Sequence, residues 1–518
     1  MGSRSKALKP RKHFLGNFIK EQQKGIMMPF DIIDTTIADI HAAFENGSLT
    51  CRKLVESYLA RIDQIDRSGP TLNAFICTNP KALEEADKLD KVYLETGPVG
   101  PLHGIPIIFK DQGDVDGMPT TLGSVLFEGY EPGRDCTVAA KLKAAGAIII
   151  GKATLGELGA GDTHGTLFGS TKNVYDPLRT AGGSSGGTGA AVSANLCTAG
   201  IGQEGFASIR RPSIWNGICG LRPTAGLVSR HGVYAGWPMV NGSLGPMCRT
   251  VEDAAKIMDV IVGYDPKDPV TARGIGNVPR SYSEVLDKNA LAGARIGVIR
   301  TSMGFKANPD AEDFGRVTEV FDKAVEELVG AGAEVIDPIE IPELQECLAT
   351  RTRNVSEEDE SFERWLEGRP NAPYGTRENA MASPKWSELR PNTRARWEFS
   401  STAEDRDRYH TARERLTTNL LNVMAEHRLD AIVHKAVEHE PTLIEEGIRP
   451  PYKDQAGAPH INTFLIYVAS VVVPAGYTSA GLPVGITFLG RAYDDHNMLR
   501  FAYAYERATQ HRRIPKFE

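Results

Sequence analysis

Residues 179–230 read RTAGGSSGGTGAAVSANLCTAGIGQEGFASIRRPSIWNGICGLRPTAGLVSR. The stretch is crowded with Gly, Ser and Ala, and Glu204 is its only acid. Gly182, Gly183, Gly186, Gly187 and Gly189 surround the pair Ser184-Ser185. Glycine is entropically costly to order, so such a cluster marks backbone in unusual dihedrals or in close approach to another group. A flexible Gly/Ser linker is the plain alternative. A linker, however, does not run straight into a small, mostly apolar segment (190–194) and then into Ile209-Arg210-Arg211-Pro212. The pattern predicts a Gly-rich loop, a helix of small residues and a second loop carrying Ser208.

Familiar glycine-loop chemistries do not fit. A phosphate-cradling P-loop closes on Lys-Ser/Thr, and Gly187-Thr188-Gly189 has no such lysine. The spacing is wrong for a dinucleotide-binding fingerprint. The G-x-S-x-G elbow of serine hydrolases is absent in its usual form.

Outward from this stretch, the chain alternates. Residues 38–66 hold two helix patterns broken at Asn46-Gly47-Ser48, with Thr50 as an N-cap for the second. Residues 80–95 form a helix ended by Gly97-Pro98. An apolar strand spans 105–109 and ends in Lys110, and a helix (138–145) and a strand (147–150) follow. Lysine is rarely buried without a partner, so Lys110 is either a strand-end residue reaching solvent or a functional amine. Residues 159–169 form a loop near this region, with Asp162, Thr163 and His164. Further on, strands at 296–299, 333–336, 431–433, 471–473 and 482–490 alternate with helices at 250–263, 311–329 and 497–509. This rhythm predicts an α/β fold: a single large domain with a mixed β-sheet core covered by helices. The expected organisation is a flexible basic tail over 1–28 and one domain over 29–518. Residues 340–428 are a charged helical region within it, interleaved with Trp365, Tyr374, Trp386, Trp397 and Phe399. Tyr234, Trp237 and Met239 either line a pocket or pack a core.

The quoted residues resemble the amidase signature hydrolases. The resemblance rests on Gly182-Gly183-Ser184-Ser185-Gly186-Gly187, Ser208-Ile209-Arg210 and Cys219-Gly220-Leu221-Arg222-Pro223-Thr224. Upstream, Gly104-Ile105-Pro106-Ile107-Ile108-Phe109-Lys110-Asp111 matches the family's lysine motif. It extends over roughly residues 35–510. It implies that Ser208 is the nucleophile, Ser184 the bridging serine behind a cis Gly183–Ser184 peptide, and Lys110 the general base. For that role the Lys110 pKa must fall well below its usual ~10.4, and burial at the end of an apolar strand is the expected cause. Asp111 is expected on the opposite face of the strand, too poorly placed to keep Lys110 charged.

The resemblance also implies an oxyanion hole of backbone N–H groups from Gly205, Phe206, Ala207 and Ser208. Here the family's Gly-Thr-Asp-x-Gly-Gly-Ser becomes Gly202-Gln203-Glu204-Gly205-Phe206-Ala207-Ser208. Phe206 is therefore expected to intrude on the pocket and favour apolar or aromatic acyl groups. Glu204 and Arg210 are expected to pair inside the loop, with Arg211 at the surface or pocket rim. Asp162, Thr163 and Trp237 are the expected substrate contacts. A Ser-His-Asp arrangement remains open, since triads are spatial and His103, His164 and His231 lie nearby in sequence.

The implied activity is hydrolysis of a carboxamide C–N bond in a small acyl or aryl amide, or of a related carbamate or ester. The alternative is a glutamine amidotransferase subunit supplying ammonia to a partner. No cofactor or metal is expected: the 12 histidines are dispersed, with no paired ligand spacing. A net charge of -7 leaves no electrostatic footprint for nucleic acid. No apolar run approaches membrane-spanning length. The 7 cysteines are scattered, without C-x-x-C spacing, which points to reduced thiols and a cytoplasmic setting. The expected partner is the small amide itself, with self-association into a homodimer allowed.

Overall fold

The strand that ends in Lys110 lies inside a mixed sheet of eleven strands. The computed structural model describes residues 30–239 and 241–517; the basic segment 1–28 lies outside them. In chain order the strands are β1 (Phe75–Thr78), β2 (Pro106–Lys110), β3 (Ile148–Ala153), β4 (Ala199–Glu204), β5 (Cys219–Arg222), β6 (Ser243–Cys248), β7 (Arg295–Ile299), β8 (Glu334–Ile339), β9 (Ala431–Lys435), β10 (Val468–Tyr477) and β11 (Pro483–Ala492). Their order across the sheet is β1-β3-β2-β4-β6-β5-β10-β11-β9-β7-β8. β2 runs parallel to β3 and β4, and β7 parallel to β8 and β9, while the strands between them are antiparallel. The α/β expectation of one large domain with a mixed sheet holds.

The helices begin where side-chain caps satisfy their orphan N–H groups. Thr50 accepts from the Lys53 N–H and starts Cys51–Arg61, as expected, and Thr250 likewise accepts from the Asp253 N–H at the start of Val251–Ile261. The helix of small residues is Gly186–Ser193, with every residue buried. It packs on β2 and β4, so the strand carrying Lys110 and the loop carrying Ser184 share one layer of core. The sequence pattern does not predict β4, β5 and β6. Their sequences, AGIGQE, CGLR and SLGPMC, lack a β-branched run. They are strands because they are buried in the sheet's centre, where close neighbours demand small residues. A Cβ on Gly200 would collide with Thr188.

Residues 340–428 are helical, with Val355–Leu366 and Ala403–Glu426 as the longest pieces. Their aromatics mostly build a core of their own: Phe362, Trp365 and Trp397 pack with Leu122, Phe127 and Leu158. Among the described residues no helix is long and apolar enough to cross a membrane.

Candidate active site

All five residues of β2 are buried, and Lys110, at its end, is 1% exposed. Its Nζ is 2.7 Å from Ser184 Oγ and donates to the Gln203 carbonyl at 3.2 Å. Lys110 forms no ion pair among the described residues. Burial pulls its pKa down from the usual 10.5 to about 7, while the nearby Glu204 carboxylate pushes the other way. Asp111 does not keep it charged, because that carboxylate pairs with Lys152 at 2.8 Å and accepts from the Thr121 N–H at 2.9 Å. Successive residues of a strand point to opposite faces, and the two neighbours serve separate networks.

Ser184 follows a cis peptide, Gly183–Ser184. The loop around it is held by short local bonds. Thr163 Oγ1 donates to the Gly182 carbonyl at 2.7 Å and accepts from the Gly186 N–H at 2.9 Å. The Ser185 N–H donates to the Ser208 carbonyl at 3.1 Å, which ties the two serine loops together. Gly187 is obligatory for a steric reason: a Cβ there would lie 2.5 Å from the Thr154 carbonyl oxygen and 2.6 Å from that of Ala74.

The Ser208 loop leaves the end of β4 and is folded back by Glu204. This carboxylate accepts from the N–H groups of Ile209 (2.8 Å) and Arg210 (2.9 Å) and from Arg210 Nε at 2.7 Å. Burial raises the Glu204 carboxyl, but the Arg210 charge and its backbone donor outweigh this and hold it below the usual range. The expected Glu204–Arg210 pair is therefore present and fully buried.

Ser208 lines a cavity of about 310 Å³, with Gly205, Phe206, Gln112, Tyr234 and Met239. Its hydroxyl has no hydrogen-bond partner among the described residues. The N–H groups of Gly205, Phe206, Ala207 and Ser208 likewise have no acceptor among them. Ala207 is buried and does not line the cavity. Phe206 does line it, though its ring is committed, stacked on His460 at 5.7 Å and edge-on to Phe305 at 6.0 Å.

The family model for amidases matches residues 53–499. The chain belongs to the amidase signature family. It is 30% identical over 503 residues to a glutamyl-tRNA(Gln) amidotransferase subunit of Thermosynechococcus vestitus, covering 92% of this chain and 98% of that protein. The corresponding protein of Chloroflexus aurantiacus is 33% identical over 494 residues, covering 92% and 96%. Among solved structures, the peptide amidase of Stenotrophomonas maltophilia superposes with a TM-score of 0.83 at 32% identity, covering 95% of this chain and 100% of that one.

Three expected substrate contacts lie off the cavity. The Asp162 carboxylate is buried against Arg211 at 2.7 Å, and its N–H donates to Asp454 at 2.6 Å. Thr163 braces the Ser184 loop. Trp237 lines a separate hollow beside Arg134 and Arg364. Arg211 is a correction: it is 1% exposed, not at the surface or rim. It pairs with Asp162, donates to the Gly183 carbonyl at 2.8 Å and lies over the Trp215 ring. An anionic partner in a distant loop offsets the desolvation of this arginine, and spacing in the sequence does not reveal it. His103, His164 and His231 do not line the cavity either.

The cavity has a wall that the sequence marks only as a region. Arg351, Arg353, Trp397, Tyr409 and Arg413 come from the charged helical segment. The interleaving of aromatics with charge is the available signal. It marks the segment without separating residues that pack from residues that face the cavity.

Proposed function

We propose that the chain hydrolyses the C–N bond of a small acyl or aryl amide through an acyl-enzyme on Ser208. The observation that carries this reading is the buried Lys110 amine, without an ion pair among the described residues, 2.7 Å from Ser184 Oγ, whose loop is bonded to the Ser208 loop. An amide needs an activated nucleophile, a proton shuttle and donors for the oxyanion. Neutral Lys110 takes the Ser184 proton as Ser184 takes the proton of Ser208, and Ser208 Oγ attacks the carbonyl carbon. The N–H groups of Gly205, Phe206, Ala207 and Ser208 are the donors for the resulting oxyanion. Lys110, now an ammonium, returns its proton through Ser184 to the leaving nitrogen as the C–N bond breaks. Water repeats the cycle on the acyl ester, releasing the carboxylate. Carbamates and esters fall within the same chemistry. The free thiols of all 7 cysteines accord with a reducing, cytoplasmic setting.

A second reading is supported by the two curated relatives described above, which are amidotransferase subunits. In it, glutamine is the amide and ammonia passes to a partner protein. One experiment addresses both readings. Wild type, Lys110→Ala, Ser184→Ala and Ser208→Ala are assayed on simple amides, p-nitroanilides, carbamates, esters and glutamine, the last with and without an acceptor. The first reading expects turnover by the chain alone and a loss of about 10³-fold or more in Ser208→Ala with folding intact. Full activity in Ser208→Ala contradicts the mechanism. Ammonia release from glutamine alone favours the second reading.

A further inference from the structure

Five arginines line the cavity: Arg351, Arg353, Arg396, Arg406 and Arg413. Three are held by a hydrogen bond or an ion pair within the fold, and a fourth, Arg413, faces a carboxylate. Arg353 is bidentate to Glu358, and Arg396 pairs with Asp454 at 2.9 Å. Arg406 donates to the Ser401 carbonyl at 2.9 Å. Arg413 lies over the Tyr409 ring, in the field of Glu357. Arg351 differs. It forms no ion pair and no side-chain hydrogen bond among the described residues. Burial holds its pKa below the usual guanidinium range, Tyr409 and Arg353 act on it in opposite directions, and no carboxylate is among the groups that do. Its guanidinium is held instead by ring faces, with Cζ 4.4 Å from the Phe206 centroid and 5.3 Å from that of Phe305. Part of the residue reaches the surface, while its guanidinium sits among the cavity walls.

Stacking on aromatic rings fixes the plane of a guanidinium and leaves its edge donors free. A planar fork of N–H donors matches a carboxylate with two parallel hydrogen bonds. Of the acids that line the cavity, Glu358 is paired with Arg353, Glu157 accepts from the Thr166 hydroxyl, and the cations acting on Glu357 are His410 and Arg413. Phe206, the ring beneath Arg351, stands two residues before Ser208 in the same loop.

We infer that Arg351 binds a carboxylate on the acyl portion of the substrate, so that the substrate class is an amide carrying an anion within a few carbons of its reacting carbonyl. This rests on the amidase reading above and narrows it. Arg351 is a specificity residue, with no part in the proton transfers.

The test uses the monoamides and mono-p-nitroanilides of succinic, glutaric and adipic acid, each beside its methyl ester counterpart, with ammonia or p-nitroaniline as the readout. Binding of the same compounds is measured by calorimetry on Ser208→Ala, which separates recognition from turnover. Wild type is expected to prefer at least one free carboxylate over its ester by about tenfold or more in kcat/KM. Arg351→Gln is expected to abolish that preference through KM, leaving ester turnover within about twofold, and Arg351→Lys to restore part of it. If wild type cleaves esters and acids equally and Arg351→Gln changes nothing, the inference fails while the amidase reading stands. If Ser208→Ala binds the anionic amides in an Arg351-dependent way but wild type cleaves none, the anion site stands and the hydrolytic reading fails. Absence of both binding and turnover for the anionic compounds overturns the inference.

Discussion

Lys110 carries the clearest consequence at the scale of single residues. Its pKa in the folded chain is about 7, against ~10.4 in an unfolded one. Between these values the unfolded chain binds the extra proton, so stability rises with pH across that window. Below pH 7 the folded chain must also hold a charged, buried lysine, and the cost of burying it is fully present. In the proposed mechanism the base form is the active one, so kcat/KM is expected to rise through a single ionisation near pH 7 and to level above it. A pH profile on any cleaved amide checks this. A flat profile between pH 6 and 8, with chemistry limiting, contradicts the role of Lys110 as base. The strand pattern alone leaves Lys110 open between a solvent-reaching end and a functional amine, and the motif Gly104–Asp111 makes it legible. The burial of Arg211 is not, because its partner Asp162 lies in another loop.

At the scale of elements, the active site depends on how closely the helix Gly186–Ser193 approaches β4. Gly200 sits at that contact, and a side chain there meets Thr188 and, at 3.0 Å, Ile108. Gly200→Val is expected to destabilise by about 1–3 kcal/mol through overpacking, read as a lower thermal midpoint. Gly315, in the helix Glu312–Gly330, has open space around it. Gly315→Ala is expected to raise stability by about 0.5–1 kcal/mol. Equal effects at the two sites would contradict this account of the packing. The same contrast explains which strands can be read from sequence. β2, β3, β7, β9, β10 and β11 carry apolar or β-branched runs, and their patterns identify them. β4, β5 and β6 form the centre of the sheet, and the Ser208 loop springs from β4, yet they look like loop in isolation. Their glycines and Pro246 answer to the helices packed on them, and local propensity carries no record of that. The helices are easier, because a cap such as Thr50 or Thr250 is a local signal.

For the whole molecule, one mixed sheet and its loops hold Lys110, Ser184 and Ser208, while the charged helical segment supplies much of the cavity wall. The first set is legible because a few spaced motifs carry it. The wall is not, because its chemistry emerges only when residues 351–413 fold over loops from the first half of the chain. Arg351 over Phe206 is such a pairing. In the proposed mechanism the chain alone, without a partner, activates Ser208 as a nucleophile. The most direct measurement is the intact mass of the chain after reaction with a fluorophosphonate, followed by fragmentation of the labelled peptide. Trypsin leaves Ser184 and Ser208 on one peptide, 180–210, so fragmentation must place the adduct between them. The expected result is a single stoichiometric adduct on Ser208, absent in Ser208→Ala and formed far more slowly in Lys110→Ala. An adduct on another residue, or no adduct in a preparation that still cleaves amides, would contradict it.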